Sequence, residues 1–201
     1  MVTHRGGPLL VLGAAGTGKT RTLVHRHAWL ATEGGAAPEQ VLALTGSEAA
    51  ADALRAGVEA LLDRGFEELA VHTVPGFCAR LLHDEALEAG LDPFVAPVTP
   101  ADRLAMLLEH VDELTLRLHD FRGNPAALLA GVIARIDRLK DAMVTATEYS
   151  RWAAALPAGD DRAEREREFA AVYEAHDRLL ARQGAVDIGD LVLFAHALLR
   201  D

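Results

Sequence analysis

One segment near the amino terminus combines glycine, lysine and threonine at a spacing that can bind phosphate. Residues 13–20 fit the pattern Gly-x4-Gly-Lys-Thr. Glycines let backbone N–H groups turn towards phosphate oxygens, and the amino terminus of a following helix adds partial positive charge. Lys19 is expected to reach the β- and γ-phosphates, and Thr20 to hold Mg²⁺. The sequence therefore predicts binding of a nucleoside triphosphate, with ATP expected, at Gly13, Ala14, Ala15, Gly16, Thr17, Gly18, Lys19 and Thr20.

A glycine-rich turn without function is the alternative explanation of this segment. The chain has 17 glycines, but its only two lysines are Lys19 and Lys140. One of these two lysines occupies the position that the phosphate pattern requires, after a short apolar run and before a helical pattern. This context favours nucleotide binding over a chance turn.

The first ninety residues alternate between strand and helix patterns. Short apolar runs predict buried strands at 9–12, 41–45 and 69–73, and helical patterns cover 19–33, 47–63 and the stretch from Pro75 to near Gly90. Alternation of this kind predicts an α/β fold with a parallel sheet and covering helices. In the second helix, the stripe expected to face the core is Ala50, Ala53, Leu54, Val58 and Leu61.

The second half of the chain has the pattern of an all-helical unit. Residues 91–100 hold three prolines and are predicted to form a linker, after which strand patterns are absent. Residues suited to begin helices are Thr99, Asn124, Thr145, Asp160 and Asp187. Asp187 and Asp190 are therefore interpreted as helix-capping acids, His176 as a hydrogen-bonded core residue, and the acidic and arginine-rich run 160–168 as a solvated helix face.

Composition restricts the classes of function. The net charge of −10 argues against a broadly basic surface for nucleic acid. No run of eighteen apolar residues is present, and no secretory signal precedes the first apolar run, so we expect no membrane partner. A single cysteine, Cys78, fits a reducing compartment, and we expect a cytoplasmic protein. The nine histidines lack the spacing of a zinc site.

Four segments, in the same order along the chain, resemble the UvrD/Rep/PcrA-type superfamily 1 DNA helicases. They are residues 7–30 around the phosphate loop, 37–55, 71–82 and 186–192, and the resemblance is weakest from about 91 to 165. The resemblance implies an α/β fold: a RecA-like P-loop NTPase domain with a parallel sheet, plus an all-helical insertion domain. It places the first motor domain at 1–92 and 186–201 and the insertion at 93–185.

The resemblance also implies an activity and a set of site residues. Family members are ATP hydrolases that move along single-stranded DNA, and a C-terminal motor domain of the same protein is the expected partner. Lys19 and Thr20 match the catalytic residues of the family, and Arg21 matches an arginine that contacts the nucleotide base. The positions that match residues facing DNA are Thr45, Gly46, Ser47, Thr73 and Phe77.

Several residues depart from the family pattern. Leu44, Gly46 and Glu48 stand where phenylalanine, asparagine and lysine are usual, and Pro75-Gly76 replaces a histidine–serine pair. The family's acidic Walker B motif would follow Asp201. We therefore expect these 201 residues alone to bind single-stranded DNA weakly and not to turn over ATP.

Two other functions remain open from the sequence. One is a different phosphate-loop enzyme, such as a kinase. The other is a helicase-derived module that binds nucleotide or partner proteins without unwinding DNA, which the altered DNA motifs favour. An opposing possibility for DNA binding is that Arg135, Arg138 and Lys140 gather on one face of the helical unit.

Overall fold

The computed structural model describes residues 1–63, 65–118 and 123–200. The chain divides into two units, Met1–Phe77 and Cys78–Asp201. The described residues are mostly helical, with a small parallel sheet in the first unit.

The first unit alternates helices with strands from residue 19 onwards. Its elements are α1 (Lys19–Thr32), β1 (Ala43–Thr45), α2 (Glu48–Glu59) and β2 (Val71–Thr73). The strands are parallel, and Thr45 at the end of β1 lies opposite Thr73 at the end of β2. The predicted strands at 41–45 and 69–73 are therefore confirmed in shorter form.

A small apolar core joins α2 to the strands. It consists of Ala51, Leu54, Val58, Leu69 and Val71. The predicted stripe on α2 is partly wrong: Leu54 and Val58 are buried, but Ala50 and Ala53 are exposed, and Leu61 lies beyond the end of the helix. The Ser47 cap fixes where α2 begins, and Ala51 then shares the inward face with Leu54 and Val58.

The predicted strand at 9–12 is wrong for the described part of the chain. These residues have no strand assignment, and Leu10 and Leu12 are 81% and 84% exposed. A strand needs a neighbour to pair its backbone N–H and C=O groups. No described strand runs beside this segment, so its apolar pattern alone does not produce a strand.

The second unit has no β-strand among its described residues, which agrees with the predicted all-helical half. Its helices are α3 (Val74–Asp84, beginning in the first unit), α4 (Ala86–Ala89), α5 (Pro100–Glu109), α6 (Pro125–Asp141), α7 (Ala146–Ala154), α8 (Asp161–Arg182) and α9 (Ile188–Leu198). Each predicted cap of α5 to α9 accepts a first-turn N–H. Caps of this kind satisfy donors that a helix leaves unpaired.

Apolar faces of α5, α6, α7 and α8 form the core of the second unit. Its fully buried members include Leu107, Leu129, Ile136, Val172 and Tyr173. No helix in the described ranges is long and apolar enough to cross a membrane.

A buried lysine links α6, α8 and α9. The Lys140 ammonium lies 2.5 Å from Asp190, 2.9 Å from Asp187 and 3.2 Å from Asp177. Burial alone would lower the pKa of Lys140, but the three carboxylates outweigh burial and raise it. The prediction that Asp187 and Asp190 cap α9 is confirmed, since each accepts the other's backbone N–H. Both acids therefore serve as caps and as counterions.

The cluster around Lys140 also depends on the close approach of Gly189 and includes a second cation, Arg103. A Cβ atom at Gly189 would lie 2.7 Å from the Cβ atom of Lys140, so only glycine leaves room for this lysine. Arg103 lies 3.2 Å from Asp187 and donates to Nε2 of His176 at 2.9 Å. His176 is fully buried, which confirms its interpretation as a hydrogen-bonded core residue.

The acidic run 160–168 is not wholly a solvated helix face, and that interpretation is corrected. Glu168 is buried and accepts the backbone N–H of Leu118 at 2.9 Å. Glu166 binds both Arg135 and the hydroxyl of Tyr149. Tertiary packing places donors beside these carboxylates, and the hydrogen bonds offset the cost of removing them from water.

Replacing Lys140 with methionine is expected to lower the free energy of unfolding of the second unit by about 3–5 kcal/mol, because the buried Asp190 would lose the cation that it binds and Asp187 would lose one of the cations beside it. Urea denaturation followed by circular dichroism measures the loss. Lys19→Met removes the other lysine, which is exposed at the first position of α1, and should change stability by less than about 0.5 kcal/mol. Equal losses in the two variants would contradict the role given to Lys140.

Helix α1 buries a histidine. His27 is 4% exposed, and within the described residues neither ring nitrogen makes a hydrogen bond of ordinary geometry. Desolvation by burial lowers the pKa of His27, and an interaction with the backbone of Pro38 offsets only part of this. An imidazole in this environment lowers the stability of the first unit.

His27→Leu should raise the stability of the first unit by about 1 kcal/mol at neutral pH. The gain should grow as pH falls below 6.5, because the unfolded histidine then binds a proton that the folded histidine, with its lowered pKa, does not. Thermal melting between about pH 7.5 and about pH 5.5 tests this. His25→Leu, at an exposed position of the same helix, is the control. A parallel loss of stability with acid in His27→Leu and the unchanged chain would refute the prediction.

Candidate functional site

The predicted phosphate loop is exposed on the first unit and leads directly into α1. Gly16 and Gly18 have φ angles of 77° and 84°, the left-handed region that glycine adopts without strain. Gly18 is the N-cap of α1 and has no side chain with which to accept first-turn N–H groups. The amino terminus of α1 therefore presents these groups and its partial positive charge to an anion.

Lys19 extends back across the loop. Its ammonium donates to the carbonyl oxygens of Gly13 at 2.6 Å and Ala14 at 2.7 Å. The Thr17 hydroxyl also donates to Ala14, at 2.8 Å. Because these partners are neutral, they orient the ammonium without cancelling its charge. The ammonium keeps its attraction for an anion such as phosphate.

Gly13 is required by the side chain of Thr17. A Cβ atom at Gly13 would lie 2.6 Å from Oγ1 of Thr17, whereas its next neighbours, in Lys19, would be 3.5 Å and 3.6 Å away. A contact of 2.6 Å requires the Thr17 side chain to rotate, which would break its hydrogen bond to Ala14, or the loop to move. The glycine thus allows the loop to close over the Thr17 hydroxyl.

Thr20 and Arg21 are the second and third residues of α1, and both are exposed. The Thr20 hydroxyl therefore belongs to the same helical turn as Lys19, as the predicted Mg²⁺ site requires. Arg21 extends from that turn as well. The roles of Thr20 towards Mg²⁺ and of Arg21 towards the base stay predictions.

The strands gather the predicted DNA-contacting residues at one edge of the sheet. Thr45 and Thr73 are the last, paired residues of β1 and β2. The Thr45 hydroxyl donates to the carbonyl oxygen of Ser47 at 3.0 Å, across Gly46, and Ser47 caps α2. Phe77 is the fourth residue of α3 and is half-buried. The first four residues therefore lie together, and Phe77 follows within the first turn of α3.

Arginines close to this edge in sequence are engaged by acids. Arg55 pairs with Asp52 at 2.8 Å, and Arg80 pairs with Asp84 at 2.9 Å. A guanidinium that is already paired attracts a phosphate less than one that is not. These side chains therefore offer little electrostatic attraction for DNA.

The predicted basic face of the helical unit is wrong. Lys140 is buried among carboxylates, and Arg135 binds Glu166 and lies 4.0 Å from the ring centre of Phe169. Of the three cations proposed for this face, Arg138 alone is exposed. Arg135 and Lys140 therefore bind carboxylates of the protein itself and do not form a basic surface.

Sequence reasoning missed two contacts that shape these sites. Glu48 accepts a hydrogen bond from the Thr73 hydroxyl at 2.7 Å. The two residues are 25 positions apart, and no pattern in the sequence predicts their contact. The burial of Lys140 did have a signal. Ile133, Ile136 and Lys140 are spaced three and then four residues apart, so they lie on the same apolar face of α6. A lysine on such a face needs buried acids as partners.

A cavity of about 550 Å³ in the second unit is unrelated to the predicted site residues. Its lining is mainly apolar and includes Leu91, Leu180 and Phe194. Its two buried or half-buried carboxylates, Asp177 and Asp190, already bind Lys140.

Comparison with known proteins identifies the family. The family model described as the UvrD/REP helicase N-terminal domain matches residues 1–201. The chain therefore belongs to the UvrD/REP helicase family, as the resemblance of its motifs indicated.

The similar curated proteins are named as ATP-dependent DNA helicase PcrA. The proteins from Staphylococcus epidermidis and Staphylococcus aureus are each 28% identical to this chain, over 187 and 190 residues. Both alignments cover 93% of this chain and 24% of the relative. The chain thus spans about a quarter of the length of these relatives.

The contact between Gly13 and Thr17 generates a prediction for nucleotide binding. Gly13→Ala should weaken binding of a fluorescent triphosphate by about tenfold, since either the Thr17 side chain or the loop must move to relieve the contact. Adding Thr17→Ala removes the clashing hydroxyl and should restore most of the affinity. Thr17→Ala alone is the control. A double variant as weak as Gly13→Ala would show that the contact is not the cause.

Proposed function

We propose that this chain is the ATP-binding part of a UvrD-like, ATP-dependent DNA helicase. The observation that carries the proposal is the Lys19 ammonium, held at the start of α1 by the carbonyl oxygens of Gly13 and Ala14. A triphosphate offers charged acceptors in place of these neutral ones, so the ammonium gains stronger hydrogen bonds on binding. The names of the PcrA relatives support the same function.

In this function the backbone N–H groups of residues 13–18 and the Lys19 ammonium hold the phosphates. The Thr20 hydroxyl would hold Mg²⁺, which would supply positive charge that offsets the negative charge of the phosphates. Arg21 contacts the base. These roles are consistent with an exposed loop whose charge attracts phosphate and with the position of Thr20 in the first turn of α1.

We also propose that residues 1–92 and 186–201 belong to a RecA-like motor domain, with the helical insertion at 93–185. Exposed apolar surface supports a sheet larger than β1 and β2. The run 9–12 is apolar and exposed, and Leu42 and Leu44 are 45% and 48% exposed. Parallel sheets are usually covered on both faces. These surfaces therefore fit a sheet with further strands and a second covering layer.

Single-stranded DNA is the proposed substrate of the edge formed by Thr45, Gly46, Ser47, Thr73 and Phe77, and translocation would require the C-terminal motor domain of the same protein. The edge offers hydroxyls, helix amino termini and one aromatic side chain for stacking. Affinity for the DNA backbone depends mainly on basic groups. Since the arginines close to this edge in sequence, Arg55 and Arg80, are paired with acids, we expect binding by this chain alone to be weak.

A helicase-derived module that binds nucleotide without unwinding DNA is the second candidate. The position of Glu48 favours it, because a carboxylate lies at the edge where a polyanion would bind. The two candidates share nucleotide binding at Lys19 and differ in their affinity for DNA.

Lys19→Ala should weaken binding of Mg-ATP by about ten- to a hundredfold, because it removes a charge-assisted contact worth about 1.5–3 kcal/mol. Titration of a fluorescent ATP analogue measures the change. Arg178→Ala removes a positive charge from an exposed position of α8 and should leave the affinity unchanged. If Lys19→Ala binds as tightly as the unchanged chain, the loop is not the nucleotide site.

A further inference from the structure

Two helices begin at the edge where β1 and β2 end. Helix α2 starts at Glu48, three residues after the last residue of β1, and α3 starts at Val74, directly after β2. Helix amino termini attract anions, and ligands of parallel sheets usually bind at the carboxyl ends of the strands. This edge therefore favours a negatively charged group.

The chain itself supplies an anion there. The Thr73 hydroxyl donates to Oε1 of Glu48 at 2.7 Å, and its oxygen accepts the N–H of Gly76 at 3.1 Å. A hydroxyl has one proton to donate. Because Thr73 gives this proton to Glu48, it has none left for a phosphate oxygen.

Gly76 leaves space for this arrangement at the start of α3. A Cβ atom there would lie 3.0 Å from the Thr73 hydroxyl oxygen and 3.6 Å from Oε1 of Glu48. The carboxylate thus lies next to the first turn of α3, as well as in the first turn of α2. A phosphate that approaches either helix terminus encounters the charge of Glu48.

We propose that Glu48 is an affinity-determining residue for nucleic acid, which competes with phosphate for the Thr73 hydroxyl. This inference rests on the proposed function, since it concerns the edge assigned to single-stranded DNA. A phosphate must displace the carboxylate from Thr73 and approach it closely. Because Glu48 is exposed, water screens the repulsion between like charges, which at about 4 Å in bulk water lowers affinity by about fivefold, and salt screens it further.

The test compares Glu48→Gln with Glu59→Gln. Glutamine at position 48 keeps an oxygen that can accept from Thr73, so this variant changes the charge alone. Glu59→Gln removes the same charge from an exposed position about 16 Å away, at the other end of α2. Fluorescence anisotropy with a labelled oligothymidylate, at low and moderate salt, gives the affinities. Melting curves and Mg-ATP titrations show that each variant is folded.

Glu48→Gln should bind the oligonucleotide about fivefold more tightly at low salt, and the gain should shrink as salt rises. Glu59→Gln should stay within about twofold of the unchanged chain. Glu48→Ala should bind at least as tightly as Glu48→Gln, because it removes the charge and also frees the Thr73 hydroxyl for a phosphate. Thr73→Val, which keeps the carboxylate, should show none.

Two different results would overturn the inference, and they have different meanings for the proposed function. Equal affinities for Glu48→Gln and Glu59→Gln, with measurable binding by both, overturn the role of Glu48 and leave the DNA-binding function intact. If neither the unchanged chain nor any variant binds the oligonucleotide, while all of them bind Mg-ATP, the DNA-binding function and the role of Glu48 are both overturned.

Discussion

The second unit depends on the ammonium of Lys140 between Asp187 and Asp190. Removing three charges from water costs several kcal/mol per ion unless each finds a partner of opposite charge and good geometry. Here the acids also cap α9, so the start of that helix and its contact with α6 depend on the same side chains. Gly189 is part of this constraint, because any larger residue would meet the stem of Lys140.

The other lysine of the chain shows the opposite arrangement. Lys19 is exposed and is oriented by carbonyl oxygens, which do not neutralise it. Its charge therefore remains able to attract phosphate, whereas the charge of Lys140 is used within the protein. The difference between a site and a structural ion pair thus lies in the partners. Carboxylates neutralise the charge of an ammonium group, whereas neutral carbonyl oxygens orient the group and leave its charge in place.

At the edge where β1 and β2 end, the partners of a charged group matter in the same way, and here the charge is the negative one of Glu48. Helix amino termini and threonine hydroxyls suit a phosphate, but Glu48 already binds Thr73, and Arg55 and Arg80, which are close to this edge in sequence, are paired with acids. Membership of the UvrD/REP helicase family predicts DNA at this edge. The charges at this edge would oppose tight binding there, which is why we propose that Glu48 lowers the affinity for DNA.

The sequence alone determined the helices, their caps and the phosphate loop, because these depend on residues within about four positions of one another. Only the tertiary structure decided that residues 9–12 form no strand, that Lys140 is buried, and that Glu48 binds Thr73. A strand requires a neighbour, a buried charge requires a counterion, and the partners of Lys140 and Glu48 are 25 to 50 positions away. Periodicity predicted that such residues lie on a face. It could not show which distant group the fold would bring against them.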